Sequence, residues 1–192
     1  MAKNNNTRNE IIELGEDLIR GKGYHAFSYH DISSQLNIKN AAIHYHFPNK
    51  EDLGIEIINK NRKTFGELLS NKKFNQLDEW ERLTIFMEEI FGRYLNEGRV
   101  CMVGALSTEF ITLPEKVQKE FQLMTSEIRE WLTELLKEGK RKKHFTFTTS
   151  AEVKALMIIA NMMAGLQIAR VMNKSDFNLI KNGILRELKT EK

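Results

Sequence analysis

The chain is poor in residues that break helices or cross-link chain segments. It has two prolines and one cysteine among 192 residues. A single cysteine excludes an internal disulfide, which is typical of the reducing cytoplasm. Because prolines are few and alternating Val, Thr and Tyr runs are nearly absent, long helices are favoured over strands. We therefore predict an all-α fold.

A targeting leader and a clear membrane span are also lacking. The opening residues M-A-K-N-N-N-T-R are polar and contain no apolar segment, so no signal peptide is expected. The most apolar stretch, residues 155–172, is interrupted by Asn161, Gln167 and Arg170. Amide and charged groups at that density disfavour a membrane helix. We expect a cytoplasmic protein that does not contact membranes.

Enzyme motifs are missing as well. The chain shows no metal-ligand spacing, no glycine-rich phosphate loop, and no nucleophile with a plausible base. His44 and His46 stand two apart and would point to different sides of a helix. We therefore expect neither an enzyme nor a metal or other cofactor. The net charge of +3 permits nucleic-acid binding without arguing for it.

The most informative segment runs from Ser28 to Leu53. It reads S-Y-H-D-I-S-S-Q-L-N-I-K-N-A-A-I-H-Y-H-F-P-N-K-E-D-L. Asn37, which tolerates left-handed backbone, marks a tight turn between two short helical patterns, and Pro48 helps to end the second. Two short helices, the second polar at its start, form the arrangement that enters the DNA major groove. The predicted helices here are about 7–21, 28–35 and 39–46, the first capped by Thr7.

Longer helices are predicted after this segment. One runs from Leu77 to Asn96, and another from Pro114 to about Lys137. The pair Thr149 and Glu152 reads as a capping box that opens an apolar helix. We divide the chain into residues 1–48, a DNA-binding domain, and residues 49–192, a ligand-binding and dimerisation domain.

The segment A-A-I-H-Y-H-F-P-N-K-E-D-L resembles the TetR family of bacterial one-component regulators. The upstream runs R-N-E-I-I-E-L-G-E-D-L-I-R-G-K-G-Y and D-I-S-S-Q-L-N-I match the same family in order and spacing. The later run C-M-V-G-A-L-S-T-E-F-I-T-L-P is similar to one subgroup. The resemblance implies a homodimeric regulator, usually a repressor, that binds double-stranded operator DNA and leaves it when a small molecule binds.

Ten residues are candidate DNA contacts on this basis. They are Ser28, Tyr29, Lys39, Asn40, Ala41, Ala42, His44, Tyr45, His46 and Lys50. Ser28 and Lys50 begin helices, where free N–H groups favour a phosphate, and Tyr29 and His46 join them in that role. Lys39, Asn40, Ala42 and Tyr45 open or follow the start of the third helix, where side chains read base edges. The plainer alternative is that Ser28 only caps a helix and Lys50 is solvated.

Two of these positions depart from the family pattern. His44 stands where the family usually has a tyrosine that contacts phosphate, and a neutral histidine can still donate one hydrogen bond there. Protonation would strengthen that contact. Ala41 replaces a glycine that lets the backbone approach a base.

The later helices are rich in aromatic residues and methionine. Aromatic and methionine side chains repeated along one face of a helix ordinarily pack in the core. The resemblance implies that some of them line a pocket for a mainly apolar ligand. The candidate ligand contacts are Phe65, Phe86, Met87, Phe91, Cys101, Phe110, Trp131 and Met162.

The helix from Ala151 to Met172 is apolar on nearly all sides, which is typical of a helix buried on both faces. The resemblance places it, with the last helix, in a four-helix dimer interface. The candidate interface residues are Ala155, Ile158, Met162, Gly165, Ile168, Ala169, Phe177, Ile180 and Ile184. A symmetric dimer predicts a near-palindromic operator.

Two alternatives stay open. Cys101, with Arg99 close in sequence, could sense oxidants or electrophiles. The chain could also be a helical adaptor without DNA binding. The basic run K-E-G-K-R-K-K-H, residues 137–144, is interpreted as a solvated helix end and loop.

Overall fold

The computed structural model describes residues 2–92, 95 and 98–189, and these residues confirm the all-α prediction. The helices are α1 (Ala2–Lys22), α2 (Tyr29–Leu36), α3 (Asn40–His46), α4 (Lys50–Ser70), α5 (Lys72–Gln76), α6 (Glu79–Phe86), α7 (Met102–Ser107), α8 (Glu115–Arg141), α9 (Ala151–Val171) and α10 (Lys174–Leu188). Within the described residues the only β pairing is an isolated bridge between Phe145 and Lys189.

The chain packs into two compact units. The first comprises residues 1–64 and 102–124, and the second comprises residues 65–101 and 125–192. These units are defined by packing. The predicted division by function, into a DNA-binding domain of residues 1–48 and a ligand-binding and dimerisation domain of residues 49–192, stays a prediction.

The first unit is built on large aliphatic side chains from several of its helices. Those with no measurable exposure include Ile11, Ile32, Ile43, Leu53 and Ile57. Gly15 lies where α1 crosses α4, and a Cβ atom there would stand 2.9 Å from Cδ1 of Ile57. The glycine therefore permits close packing of the two helices, although it lowers helix propensity by about 1 kcal/mol.

Local signals set the ends of α2 and the start of α4. Ser28 and Asp31 form the reciprocal capping box of α2. Asn37 ends the helix in the left-handed region with φ of 52°, a conformation that asparagine tolerates. Asn49 caps α4, its Oδ1 accepting from the N–H of Asp52 at 2.9 Å. The short predicted helices are thus found within a residue or so of their predicted bounds.

Two predicted helix starts are wrong. α1 begins at Ala2 rather than after a cap at Thr7, because residues 2–6 contain no glycine or proline to stop a helix. α9 is capped by Ser150, whose Oγ accepts from the N–H of Val153 at 3.3 Å. The helix therefore begins one residue later than a cap at Thr149 would place it.

The predicted helix from Leu77 to Asn96 is interrupted. α6 ends at Phe86 and continues as a π-helical turn over Met87–Phe91. Wider turns of this kind are rare and often stand near functional sites. The predicted end at Asn96 lies outside the described residues.

An aromatic cluster forms part of the core of the second unit. The ring centroid of Phe86 lies 4.9 Å from Trp131, 5.6 Å from Phe91 and 6.3 Å from Phe65. The Phe65 and Trp131 rings meet edge to face at 5.7 Å. Aromatic pairs at these separations add about 0.5–1.5 kcal/mol each beyond area burial.

Helices α9 and α10 pack closely in the same unit. A Cβ atom on Gly165 would stand 3.3 Å from Cδ1 of Ile180 and 3.4 Å from Cδ2 of Phe177. Gly165 therefore lets α10 approach α9 closely. Among the described residues, α9 is the one helix whose length and composition would allow a membrane crossing, properties that apolar core and interface helices share.

Candidate nucleic-acid interface

Helix α3 is held by one side chain and exposes most of the others. Ile43 is fully buried and anchors the helix. Lys39, Asn40 and Ala41 are exposed around its start, and 73% of Tyr45 is exposed. The predicted base-reading residues are therefore free to meet a groove, with Ala42 half-buried beside them.

Ser28 has the capping role that its alternative interpretation predicts. Its Oγ donates to Oδ2 of Asp31 at 2.6 Å, and its N–H donates to the same oxygen at 2.7 Å. These hydrogen bonds hold the pKa of the Asp31 carboxyl below its usual value, and Lys22 lowers it further. The charged carboxylate stands at the site proposed for a phosphate, which weakens that role for Ser28.

Tyr29 and Lys50 contact their own chain in ways that the sequence did not predict. Tyr29 is 9% exposed and its hydroxyl donates to the carbonyl of Phe47 at 2.8 Å. Nζ of Lys50 donates to the carbonyl of Phe27 and lies 4.2 Å from the centre of that ring. Burial lowers the pKa of Lys50, and the charge of Glu109 opposes the shift. The structure thus gives both residues packing roles, and we do not retain them as phosphate contacts.

His44 is exposed, and its hydrogen bonding fixes its tautomer. Nδ1 lies 3.1 Å from the carbonyl oxygen of Pro48, and a carbonyl only accepts, so the proton of a neutral ring sits on Nδ1. Nε2 then presents a lone pair. The expectation that neutral His44 donates to a phosphate through this exposed nitrogen is therefore wrong. Only the protonated ring can do so.

We expect His44→Gln to strengthen binding to the upstream DNA by about 0.5–1.5 kcal/mol. The neutral imidazole has no donor at its exposed nitrogen, whereas the glutamine side chain carries an amide that can donate to a phosphate. Fluorescence anisotropy with labelled upstream DNA measures the affinity, with His25→Gln as the matched control. Unchanged or weaker binding of His44→Gln would contradict the assignment.

A carboxylate far along the chain holds the turn between α1 and α2. Oε2 of Glu109 accepts from the N–H of Tyr24 at 2.5 Å, and Gly23 adopts a φ of 99° beside it. Nε2 of His25 lies 3.0 Å from Oγ1 of Thr112. Sequence reasoning missed this contact, because no local pattern links residues about 85 positions apart.

Comparison with protein families agrees with this geometry. The family described as "Bacterial regulatory proteins, tetR family" matches residues 11–57, and "Tetracyclin repressor-like, C-terminal domain" matches residues 80–177. The chain belongs to the TetR family. It is a DNA-binding transcriptional regulator of that family, as the sequence motifs predicted.

Solved structures of TetR regulators have the same fold. A TetR-family regulator from Agrobacterium tumefaciens is 26% identical with a TM-score of 0.88, over 97% of this chain and 100% of that one. A TetR regulator from Legionella pneumophila is 30% identical with a TM-score of 0.81, over 94% and 96% of the two chains. No curated protein is similar to the chain at a significant level.

The candidate ligand contacts of this TetR-family chain fall into two groups. Phe65, Phe86, Phe91 and Trp131 belong to the aromatic cluster of the second unit. Met87, Met162 and Cys101 are buried in that unit. Phe110 instead packs against Phe121 in the first unit, with ring centroids 6.1 Å apart.

Most of the predicted dimer contacts are covered by their own chain. Six of them are buried within the chain itself: Ala155, Ile158, Met162, Gly165, Ala169 and Phe177. An apolar helix with no polar face does not reveal which side meets its own chain. Gly165 faces α10, whereas Ile168 is exposed and Ile180 and Ile184 are half-buried.

Two members of the basic run 137–144 pair with a buried carboxylate. Glu79 is completely buried, and it accepts from Lys142 Nζ at 2.9 Å and pairs with His144 Nδ1 at 2.6 Å. Arg82 Nη2 donates to the same carboxylate at 2.7 Å. Burial raises the pKa of Glu79, but hydrogen bonds from Lys142 and His144 outweigh it and bring the pKa to about 2. Lys142 and His144 thus face solvent and also pair with a buried carboxylate, a contact that the interpretation of the run as a solvated helix end and loop did not include.

Proposed function

We propose that the protein is a homodimeric repressor that binds a near-palindromic operator and is released by a small ligand with a mainly apolar body. The observation that carries the DNA part is the exposed start of α3, held in place by buried Ile43. In the proposed interface Lys39 reaches guanine acceptors, Asn40 pairs with adenine, and Tyr45 packs against a base.

The exposed face of α9 supports the homodimer. It carries large apolar side chains at helical spacing, and α10 adds one more. These residues are Val153, Leu156, Met157, Ile168, Val171 and Leu179. Apolar patches of this kind mark association surfaces, and Leu156 is 49% and Val171 85% exposed. A second copy of the chain brings an identical apolar face, as a two-fold interface requires.

The aromatic cluster supports the ligand part of the proposal. Pockets for small molecules are mostly apolar with a few polar anchors, and α6 leads directly into the π-helical turn beside this cluster. One regulator with this fold, from Saccharomonospora viridis, was solved in complex with choline; it is 22% identical with a TM-score of 0.75, over 97% of this chain and 100% of that one. The fold therefore can accommodate a small organic molecule.

The structure does not favour the sensor role of Cys101. The residue is 1% exposed, whereas reactive thiols are partly accessible. We therefore do not propose oxidant sensing as the function.

The test is protection of the DNA upstream of the coding sequence by the purified full-length chain. We expect a protected near-palindrome and an affinity that falls steeply with salt. Tyr45→Ala should weaken binding by about 1–3 kcal/mol and relax the preference at one base position. Lys73→Ala removes an exposed lysine of α5 and is the control that should leave binding unchanged. Absence of salt-dependent binding to this DNA would overturn the proposal.

A further inference from the structure

A cleft of about 340 Å³ lies in the second unit along α8. It is lined by Arg82, Trp131, Glu134, Leu135, Lys137, Glu138 and Arg141. Only Arg82 comes from α6, and the rest come from the last three turns of α8. The cleft therefore combines one aromatic wall with several charged groups.

Arg82 has a donor that the protein leaves unused. Its Nη2 donates to Glu79 at 2.7 Å, but its Nε is buried and has no hydrogen-bond partner. A guanidinium offers five N–H donors and no acceptor, and buried donors in native proteins almost always have partners. A missing acceptor beside a cleft points to a ligand oxygen.

The acidic residues of the cleft do not oppose an anion. Glu134 pairs with Lys137 at 3.0 Å, and Glu138 pairs with Arg141 at 3.4 Å. Glu138 has a second cation in Lys142 at 2.9 Å, and Lys137 also pairs with Glu152 at 2.9 Å. Each lining carboxylate thus has a cation beside it, and pairing of this kind cancels most of its field on a nearby ligand.

Trp131 supplies the apolar wall. Its indole belongs to the aromatic cluster, 4.9 Å from the Phe86 ring and 6.2 Å from the Phe74 ring. The residue is half-buried, so part of the ring is open to a ligand. A flat apolar group packs well against an indole.

We propose that this cleft binds a small aromatic carboxylate, with its carboxylate on Arg82 and its ring against Trp131. Arginine recognises planar carboxylates through parallel N–H donors, and in the proposed complex Arg82 turns its buried Nε–H towards the ligand. The inference rests on the proposed function in one respect, since it identifies this cleft as the place where the releasing ligand binds.

Binding is tested by tryptophan fluorescence with benzoate and its neutral isostere benzamide. The chain has two tryptophans, so the Trp80→Phe variant reports from Trp131 alone. We expect a saturable change with benzoate and at least about tenfold weaker binding of benzamide, the loss of one charge-assisted contact. Equal binding of the two probes, or no saturable change, overturns the proposal.

Arg82→Lys is the decisive variant. Lysine keeps a positive charge for Glu79 but has no Nε–H donor, so the preference for benzoate should fall by about tenfold. A thermal unfolding curve checks that the variant is folded. A folded Arg82→Lys variant that keeps the full preference overturns the assignment of Arg82.

Release of upstream DNA is measured separately by anisotropy. Benzoate binding with release supports both the site and its effector role. Binding without release overturns the effector role and leaves the site. Benzoate binding to a chain that does not bind the DNA at all contradicts the proposed function and leaves the site standing.

Discussion

Replacing Leu156 by lysine should convert the protein into a monomer and lower its operator affinity by about 100-fold or more. Leu156 lies on the exposed apolar face of α9, and in a two-fold dimer its lysine replacements would place two like charges in the contact. A monomer has one DNA-binding domain instead of two, so it loses the avidity of the dimer, which raises operator affinity by a factor of about 10²–10⁴. Sedimentation velocity measures the oligomeric state, and anisotropy measures the affinity.

Ser126→Lys is the matched control for this variant. Ser126 is exposed on α8, so the substitution adds the same side chain outside the proposed contact. We expect it to stay dimeric and to bind operator normally. A dimeric Leu156→Lys protein with unchanged affinity would show that this face of α9 does not hold the two copies together.

Replacing Phe86 by alanine should lower the free energy of unfolding by about 3–5 kcal/mol. Phe86 has no exposed surface, and its ring contacts Phe65, Phe91 and Trp131. The substitution removes buried area and leaves a cavity that the surrounding rings fill only partly. Urea unfolding followed by circular dichroism measures the loss. An unchanged m value, the slope of the unfolding free energy against urea concentration, would confirm that only stability changed.

Phe147→Ala deletes the same atoms at a half-buried position and is the comparison for Phe86→Ala. The Phe147 ring lies 4.5 Å from Nζ of Lys140 and is not among the completely buried side chains. Its loss should cost about 1 kcal/mol or less. Equal losses in the two variants would mean that the aromatic cluster contributes no more than a surface contact.

The DNA-reading segment could be predicted from the sequence because its signals are local. Ser28 and Asp31 cap a helix three residues apart, and Asn37 needs no distant partner to adopt a left-handed turn. The exposure of Lys39 and Asn40 follows from Ile43 being the one large aliphatic residue in α3. Each of these features is decided within about one helical turn.

The faces of α9 and the partners of Tyr29 and Lys50 could not be predicted in the same way. α9 is apolar on nearly every side, so the period of its side chains does not identify the face that packs on α10. Tyr29 and Lys50 have polar ends on long apolar bodies, which pack against a core as readily as they reach a phosphate. Tyr29 and Lys50 pack inward because they donate hydrogen bonds to the carbonyls of Phe47 and Phe27. These carbonyls come close to them only when the chain has folded.

The contact of Glu109 with the N–H of Tyr24 limits how this regulator can be re-engineered. Chimeras that join residues 1–48 to a foreign body would separate the turn at Gly23 from the carboxylate that holds it. A graft that keeps this turn as it is in the native chain therefore has to carry residues 106–113 along with the first three helices. The turn and the carboxylate that holds it lie about 85 positions apart in the sequence, so a single crossover after residue 48 would separate them.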